Sequence, residues 1–241
     1  MSSICALILK ASTVKYLRGW YMRKVVSVPE NSTATLGSVE GDLHVGEGST
    51  IKAEEGLERI TVSGFVRCEG DCSFECSLTA ESLDGRDGNI LIRGDLSVSA
   101  SIRIREGELH VTGNLSAKTL DVEKRVIVEE DLSVEKVDVG GSLEVGGDTK
   151  ALDLDVGGSY KASGNAEVES IDVGGSVDVK GTTRGSRIDV GGTFRGTGPV
   201  EVTKIEVGGS VDVEAAVKVG DIDVGGRVRV KGGEIKKSID V

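Results

Sequence analysis

The chain has 241 residues, of which 35 are Gly, 2 are Pro and 3% are aromatic, so it lacks the aromatic anchors of an ordinary globular α/β or sandwich domain. Its hydrophobic content of 38%, mostly Val, Ile and Leu, is too high for a disordered chain and suits β-strands. The net charge of −11 argues against nucleic acid as a partner, because a surface that follows phosphates needs clustered cations.

Residues 1–24 form a basic N-terminal segment that contains five cations and no acid: Lys10, Lys15, Arg18, Arg23 and Lys24. Its helical projection separates basic from apolar residues poorly. One interpretation is a disordered tail, or a start site assigned too early, with Met22 as the natural start. The alternative is a membrane-surface anchor. Residues 4–9 are too short for a signal peptide, and no stretch approaches the ~20 apolar residues of a membrane span. Four Cys without a secretion signal predict a cytoplasmic protein, with membrane association through residues 1–24 as the variant.

Residues 35–119 show apolar residues in alternating pairs, which is typical of strands with one buried face. The pairs fall into three series that we assign to three faces of one coil. The first series is Leu43/Val45, Ile60/Val62, Leu78/Ala80, Leu96/Val98, Leu115/Ala117 and Leu132/Val134. The second is Cys72/Phe74, Ile90/Ile92, Leu109/Val111 and Val126/Val128. The third is Val66/Cys68 and Ile102/Ile104, and it becomes indistinct near Leu83.

Three cysteines and two histidines are the residues in this region that could ligate a metal. Cys68, Cys72 and Cys76 are spaced by four, whereas zinc sites normally use a Cys-x₂-Cys pair. We therefore interpret them as small buried hydrophobic residues, with a metal or redox cluster as the alternative. His44 and His110 each lie between two inward residues, which predicts outward side chains in different turns and no shared metal site.

Residues 113–119 resemble a phosphate-binding loop only superficially, because Lys118 has no preceding Gly and no helix can follow. The sequence therefore predicts neither a nucleotide nor any other cofactor, and we identify no catalytic residue.

Residues 120–241 repeat a motif of hydrophobic residue, acid, Val and two Gly every 17 residues. The copies begin at Val137, Leu154, Ile171, Ile188, Ile205 and Ile222, with a shortened copy at Ile239 and a degenerate one at Leu120. Three apolar pairs in each repeat predict three short strands separated by tight corners. Short strands of this kind are stable only when successive turns stack about 4.8 Å apart. We predict an all-β fold, a three-sided parallel β-helix of roughly 12 turns that forms one domain over residues 25–241.

Glycine pairs occupy one corner of each regular turn, where we expect a positive φ that only Gly adopts cheaply. These corner glycines are Gly140, Gly141, Gly157, Gly158, Gly174, Gly175, Gly191, Gly192, Gly208, Gly209, Gly225 and Gly226. Bulky inward residues should be compensated by small partners, as in Tyr160 with Ala162 and Phe194 with Gly196.

An acidic residue recurs at one outward position of eight successive turns, and we name this set the acidic column. Its members are Asp121, Asp138, Asp155, Asp172, Asp189, Glu206, Asp223 and Asp240. Like charges ~4.8 Å apart cost about 0.9 kcal/mol per neighbouring pair even in water. One interpretation is that each Asp caps a Gly amide at the next corner. The other is a surface for divalent cations or a basic partner.

Two further outward positions alternate in sign along the rod, which should let neighbouring turns pair their charges. We name them the two alternating columns. One contains Lys150, Glu167, Arg184, Glu201 and Lys218. The other contains Glu144, Lys161, Asp178, Arg195, Asp212 and Arg229.

The Val/Gly-rich turns of the type Ile-Asp-Val-Gly-Gly-Ser-Val-x-Val, over roughly residues 36–241, resemble the bactofilins, a family of polymer-forming cytoskeletal proteins. The resemblance implies a right-handed coil and nucleotide-free filaments made by end-to-end stacking. This chain has about twice the usual number of turns and no Pro-rich flanking tails.

We therefore expect a non-enzymatic structural protein that self-associates end to end, with Ile239 and Val241 at the contact because the repeat stops there. One alternative is a surface stalk or adhesin-like scaffold that uses the acidic column. A second is a solenoid enzyme acting on sugars or acyl groups.

Overall fold

The computed structural model describes the backbone of residues 24–240 and the side chains of residues 24–232. Within that range the chain forms β-strands joined by turns and contains no helix. All strand pairings are parallel and link each turn to the next, as in a β-solenoid. No helix that is long and apolar enough to cross a membrane occurs in this range. Residues 1–23 and Val241 lie outside the described range. The predicted disordered tail or membrane anchor falls on the former, and part of the predicted end contact falls on the latter.

The first five turns use separate short strands, each confined to one side of the coil. These are β1 (Val25–Val28), β2 (Thr33–Leu36), β3 (Ser38–Val39), β4 (Asp42–Val45), β5 (Ser49–Ala53), β6 (Arg59–Val62), β7 (Phe65–Glu69), β8 (Cys72–Phe74), β9 (Ser77–Ala80), β10 (Ser82–Arg86), β11 (Ile90–Ile92), β12 (Leu96–Val98), β13 (Ser101–Arg105) and β14 (Glu108–Val111).

The later turns alternate an eight-residue strand, which covers two sides, with a four-residue strand on the remaining side. These are β15 (Leu115–Val122), β16 (Arg125–Val128), β17 (Leu132–Val139), β18 (Ser142–Val145), β19 (Thr149–Val156), β20 (Ser159–Ala162), β21 (Ala166–Val173), β22 (Ser176–Val179), β23 (Thr183–Val190), β24 (Thr193–Gly196) and β25 (Val200–Val207). The last two, β26 (Ser210–Val224) and β27 (Arg227–Asp240), run around all three sides.

The pairings define three sides, which we name A, B and C in the order in which β1, β2 and β3 enter them. Side A holds thirteen stacked strand segments, and sides B and C hold twelve each. The predicted three-sided parallel solenoid of about 12 turns is therefore confirmed. The right hand of the coil remains a prediction.

One predicted pair was assigned to the wrong face. Leu43/Val45 lies on side A, where Leu43 pairs with Val66, and not on side C with Ile60/Val62. The interval of 17 residues between Leu43 and Ile60 was misleading, because residues 54–58 form an extra loop within that turn. The loop lengthens the turn to 23 residues, the interval from Leu43 to its true neighbour Val66.

From β15 onward, the corner between sides C and A is a bend within a continuous strand. In β17 and β19 the burial alternates on each side, but two successive exposed residues mark the bend, for example Glu135 and Lys136. The alternation thus slips by one residue there without breaking the strand. The prediction of three tight corners per turn therefore fails in the turns from β15 onward, which have two, whereas in the earlier turns separate strands also meet at the C–A corner.

The corner between sides A and B is built in two ways. In the first five turns one residue has a positive φ, between 52° and 69°. These residues are Asn31, Gly48, Gly70, Asp87 and Glu106. In the regular turns the glycine pairs take this corner without a positive φ, so the reason that we expected for these glycines is wrong. A Cβ on Gly157 would instead lie 2.2 Å from the carbonyl oxygen of Gly140 in the preceding turn. Close stacking of successive corners is what requires Gly.

The core is a thin aliphatic column along the whole rod, and the predicted compensation of side-chain volumes is present. Tyr160 and Phe194 are fully buried, and Ala162 beside Tyr160 is buried as well. A Cβ on Gly196 would lie 3.3 Å from Cγ2 of Val200, so little space remains beside Phe194. A fixed cross-section filled at high density explains why large and small residues alternate.

Candidate functional site: the acidic column, the corners and the solenoid ends

The acidic column runs along side A with its members in direct register. Asp138 pairs with Asp121 before it and Asp155 after it, and the series continues through Asp172 and Asp189. It then passes through Glu206 and Asp223 to the backbone of Asp240. The 17-residue spacing predicted this alignment correctly.

Cations form ion pairs with both end parts of the column, whereas at its centre Lys136 only partly offsets the charge around Asp155. Near the start, Nε of Arg103 lies 3.0 Å from Oδ2 of Asp121. Further along, Arg187 reaches both Asp189 at 2.9 Å and Glu206 at 2.6 Å. Nζ of Lys204 lies 2.6 Å from Oε1 of Glu206. Between these pairs lie Asp138, Asp155 and Asp172, whose neighbours within the column are again carboxylates.

The two environments shift acid pKa values in opposite directions. Partial desolvation raises the pKa of Asp155, and the like charges of Asp138 and Asp172 raise it further. A hydrogen bond from Lys204 lowers the pKa of Glu206, and the charge of Arg187 acts in the same direction. The centre of the column is therefore a repulsive stretch, whereas its Glu206 end is held by cations.

The acidic column does not cap the corner glycines. The amide of Gly140 donates to the carbonyl of Val122 at 3.0 Å, and the amide of Gly157 donates to that of Val139 at 2.9 Å. The second glycine of a pair behaves in the same way, since the Gly158 amide donates to the Gly141 carbonyl at 2.8 Å. These amides already donate to carbonyls of the preceding turn, so the capping interpretation is wrong.

Among the described residues, no group of three or more His, Cys, Asp or Glu side chains is arranged to hold a metal ion.

A continuous series of side-chain caps, which was not predicted, lies at the corner between sides B and C. An Asp or Asn oxygen accepts a hydrogen bond from the backbone amide one turn later. The successive acceptors are Asp95, Asn114, Asp131, Asp148 and Asn165, and the last amide is that of Thr182, with distances of 2.7–3.2 Å. We name these five acceptors the Asx ladder. Its signal was Asp or Asn at intervals of 17 from residue 114 to residue 165. The amide of Asn114 lowers the pKa of Asp95.

The three cysteines lie inside the solenoid. Cys68 is on side A, Cys72 is on side B, and all three thiols are reduced and buried. A hydrogen bond between the Cys68 thiol and Cys72, together with burial, raises the pKa of the Cys68 thiol well above its usual value. Burial also raises the pKa of Cys76. A raised thiol pKa suppresses the thiolate that binds metals or reacts.

The two histidines lie on different sides of the coil and both point outward. His44 on side A stacks on Phe65 with ring centroids 6.2 Å apart. His110 on side B places Nε2 2.8 Å from Oε1 of Glu129. The structure therefore does not bring them together.

The two alternating columns have the predicted registers on sides C and B. Arg184 pairs with Glu201 at 3.0 Å, and Arg229 pairs with Asp212 at 3.6 Å. Exposed pairs of this kind contribute little individually, typically about 0.2–1 kcal/mol.

A shallow groove of about 690 Å³ follows the bend between sides C and A, and it was not anticipated from the sequence. Leu152, which is 58% exposed, lies in it beside Glu135 and Glu169. The groove arises because the bend turns two successive residues outward. It is too open to bury most of a small ligand.

The two ends of the described solenoid present strand edges on every side. β1, β2 and β3 each pair with a single later strand, and in the described part of the chain β27 pairs with β26. The backbone of Ile239 pairs in register with Ile222. The side chain of Ile239 and the whole of Val241 lie outside the part of the chain that the structure describes. Val228 and Val230 in β27 are half-buried and pack against the core.

The fold defines the chain as a parallel β-solenoid. Comparisons with models of known protein families, with curated proteins and with solved structures gave no match.

Proposed function

We propose that this solenoid is a structural protein that forms filaments by end-to-end stacking, in the manner of the bactofilins that its turns resemble. The observation that carries the proposal is the set of unpaired edges on the first and last described turns. A parallel strand edge is a template for another strand, and a solenoid end offers three of them around an apolar section. A second copy can extend all three sheets.

The proposal includes a non-enzymatic role, assembly without nucleotide, and a cytoplasmic location with membrane contact through residues 1–24. Three features support it: the shallow outer surface, the thin core with a constant cross-section, and thiols kept buried and reduced. Divalent cations are proposed as modulators that would screen the repulsive centre of the acidic column.

Negative-stain electron microscopy of the purified full chain, without added nucleotide, tests the proposal. We expect unbranched filaments of single-rod width at micromolar concentrations. One rod of about 12 turns should be on the order of 55–60 Å long. Monodisperse rods of that length at high protein concentration would overturn the proposal. Fractionation of cells that finds the protein outside the cell would favour the stalk alternative.

A further inference from the structure

A line of shallow depressions follows the corner between sides C and A, and its longest part is the groove described above. The floor of the groove is the last inward position of side C in five successive turns, namely Ala117, Val134, Ala151, Val168 and Gly185. A smaller depression of about 280 Å³ covers the same corner in the three preceding turns, over residues 62–63, 79–81 and 97–99. Together they form one line along a single corner, which we name the C–A track.

Leu152 is an exposed apolar residue of the track at a position where neighbouring turns have polar side chains. The equivalent residues in the two turns on either side are Lys118, Glu135, Glu169 and Ser186. Among the described side chains, two other large hydrophobic residues are exposed, Val25 and Leu57, and neither lines the groove. A leucine that is 58% exposed gains free energy when a partner covers it.

The surface around Leu152 is acidic. The three turns at residues 133–138, 150–155 and 167–172 hold seven exposed acids and two cations, Lys136 and Lys150. The acids are Glu135, Asp138, Asp153, Asp155, Glu167, Glu169 and Asp172. They include the repulsive centre of the acidic column, which adjoins the groove on side A. The occupant that fits this surface is a segment with both apolar residues and cations.

The chain supplies such a segment at the start of the same corner. Lys24, the first described residue, lies at the C–A corner of the first turn, where its carbonyl accepts a hydrogen bond from the Asp42 amide at 2.8 Å. Its Nζ lies 3.3 Å from Oε2 of Glu40. Residues 1–23 precede it with apolar residues, no acid and four further cations: Lys10, Lys15, Arg18 and Arg23.

The length of this segment is sufficient to reach the groove. Seven strand pairings on side A separate the first turn from the turn of Leu152. At about 4.8 Å per turn, Leu152 lies about 34 Å along the rod from Lys24. An extended chain spans about 3.3 Å per residue, so about ten residues bridge this distance. Residues 10–17, with the sequence Lys-Ala-Ser-Thr-Val-Lys-Tyr-Leu, then lie at the level of the groove.

We propose that residues 10–17 dock on the C–A track of the same rod, with their apolar side chains on Leu152 and with Lys10 and Lys15 beside the surrounding acids. The contact covers the exposed leucine and places cations beside carboxylates that otherwise face one another. It does not depend on end-to-end assembly. It uses the same cations as the membrane contact proposed above, so a docked segment is withheld from a membrane.

Trypsin cleavage after Lys10 and Lys15 measures docking, because a protease cuts the released form of the segment. The groove variant combines Glu135→Ser with Leu152→Ser, and Ser already occupies the equivalent position at residue 186. We expect cleavage of the full chain at these two sites, followed by mass spectrometry, to be at least about tenfold faster in the groove variant than in wild type.

The matched control makes the same two changes at a different corner. It combines Leu57→Ser with Glu58→Ser in the extra loop between sides B and C, where both side chains are exposed. Its segment should be cleaved at the wild-type rate. Trp20, the one Trp of the chain, gives a second measurement. Its fluorescence anisotropy should fall in the groove variant and stay unchanged in the control. Circular dichroism and thermal unfolding check that each variant is folded.

Protein concentration distinguishes the possible occupants of the track. Docking within one chain predicts protection from trypsin that is unchanged over an about hundredfold dilution. Protection that is lost on dilution would place the segment on a second copy and overturn the proposal. Equal cleavage rates in wild type and a folded groove variant would also overturn it. Either result is obtained whether or not the rods form filaments, so failure of docking is distinct from failure of end-to-end assembly.

Discussion

The backbone amide of Asn165 donates a hydrogen bond to Oδ1 of Asp148, one turn earlier, at a distance of 2.7 Å. Asp148 is bound in the same way to Asp131 through its own amide, also at 2.7 Å. Each side chain of the Asx ladder thus satisfies an amide at a corner where the backbone leaves the sheet. The ladder ties successive B–C corners together without charge pairing.

Replacing Asp148 with Ala should destabilise the rod, because the Asn165 amide loses a charged acceptor. We expect a loss of about 1–2 kcal/mol, which lowers the midpoint of thermal unfolding by a few degrees. Asp148→Asn should restore most of the stability, since Asn already fills this role at residues 114 and 165. Asp178→Asn, on the outer face of side B, is a control for loss of charge. Equal stability of Asp148→Ala and Asp148→Asn would show that the bond contributes nothing.

Replacing Gly157 with Ala should be more damaging than its small change in volume suggests. The new Cβ would lie 2.2 Å from the Gly140 carbonyl oxygen, so the backbone of one corner must move. We expect a loss of about 2 kcal/mol, measured by thermal or denaturant unfolding. Gly232→Ala is the matched control, because a Cβ there meets nothing within 4 Å. A Gly157→Ala chain as stable as wild type would argue against tight stacking of these corners.

Asp155→Asn should stabilise the folded rod at neutral pH. The pKa of Asp155 is raised in the folded chain, so its contribution to stability is present in acid and is lost as the pH rises through that pKa. Removing the charge should add about 0.5 kcal/mol at pH 7, or one to two degrees, and nothing near pH 3.

Glu206→Gln should have the opposite effect and therefore serves as its partner in the same experiment. The pKa of Glu206 is lowered, so its contribution is present above the ordinary pKa of Glu and disappears as the pH falls through the folded value. We expect a loss of about 0.5 kcal/mol at pH 7 that shrinks as the pH falls through the lowered pKa of Glu206. The same sign for both variants at pH 7 would contradict the division of the acidic column into a repulsive centre and a neutralised end.

The 17-residue repeat was sufficient to predict the solenoid, its three sides and the register of the acidic and alternating columns, because stacking at a constant interval leaves little freedom. The prediction failed where that interval changes, as at Leu43, since residues 54–58 lengthen one turn. It also failed in assigning hydrogen bonds to side chains. Asp155 lies in a strand just before a corner and Asp148 lies in a corner, and only Asp148 has a backbone amide of the next turn within reach. Corner geometry, which the residue pattern does not contain, decides between them.

Within the described residues, side A holds one strand segment more than sides B and C, and this excess bears on the proposed filament junction. When the last turn of one copy stacks on the first turn of another in the proposed assembly, residues 238–240 and β1 would occupy the same position in side A. A chain that ends at Lys237 removes the competition and should assemble with a several-fold lower critical concentration, measured by sedimentation. Its unfolding midpoint should stay close to that of the full chain. Loss of filaments in this shortened chain would instead place the contact at Ile239 and Val241, the residues that the repeat pattern first indicated.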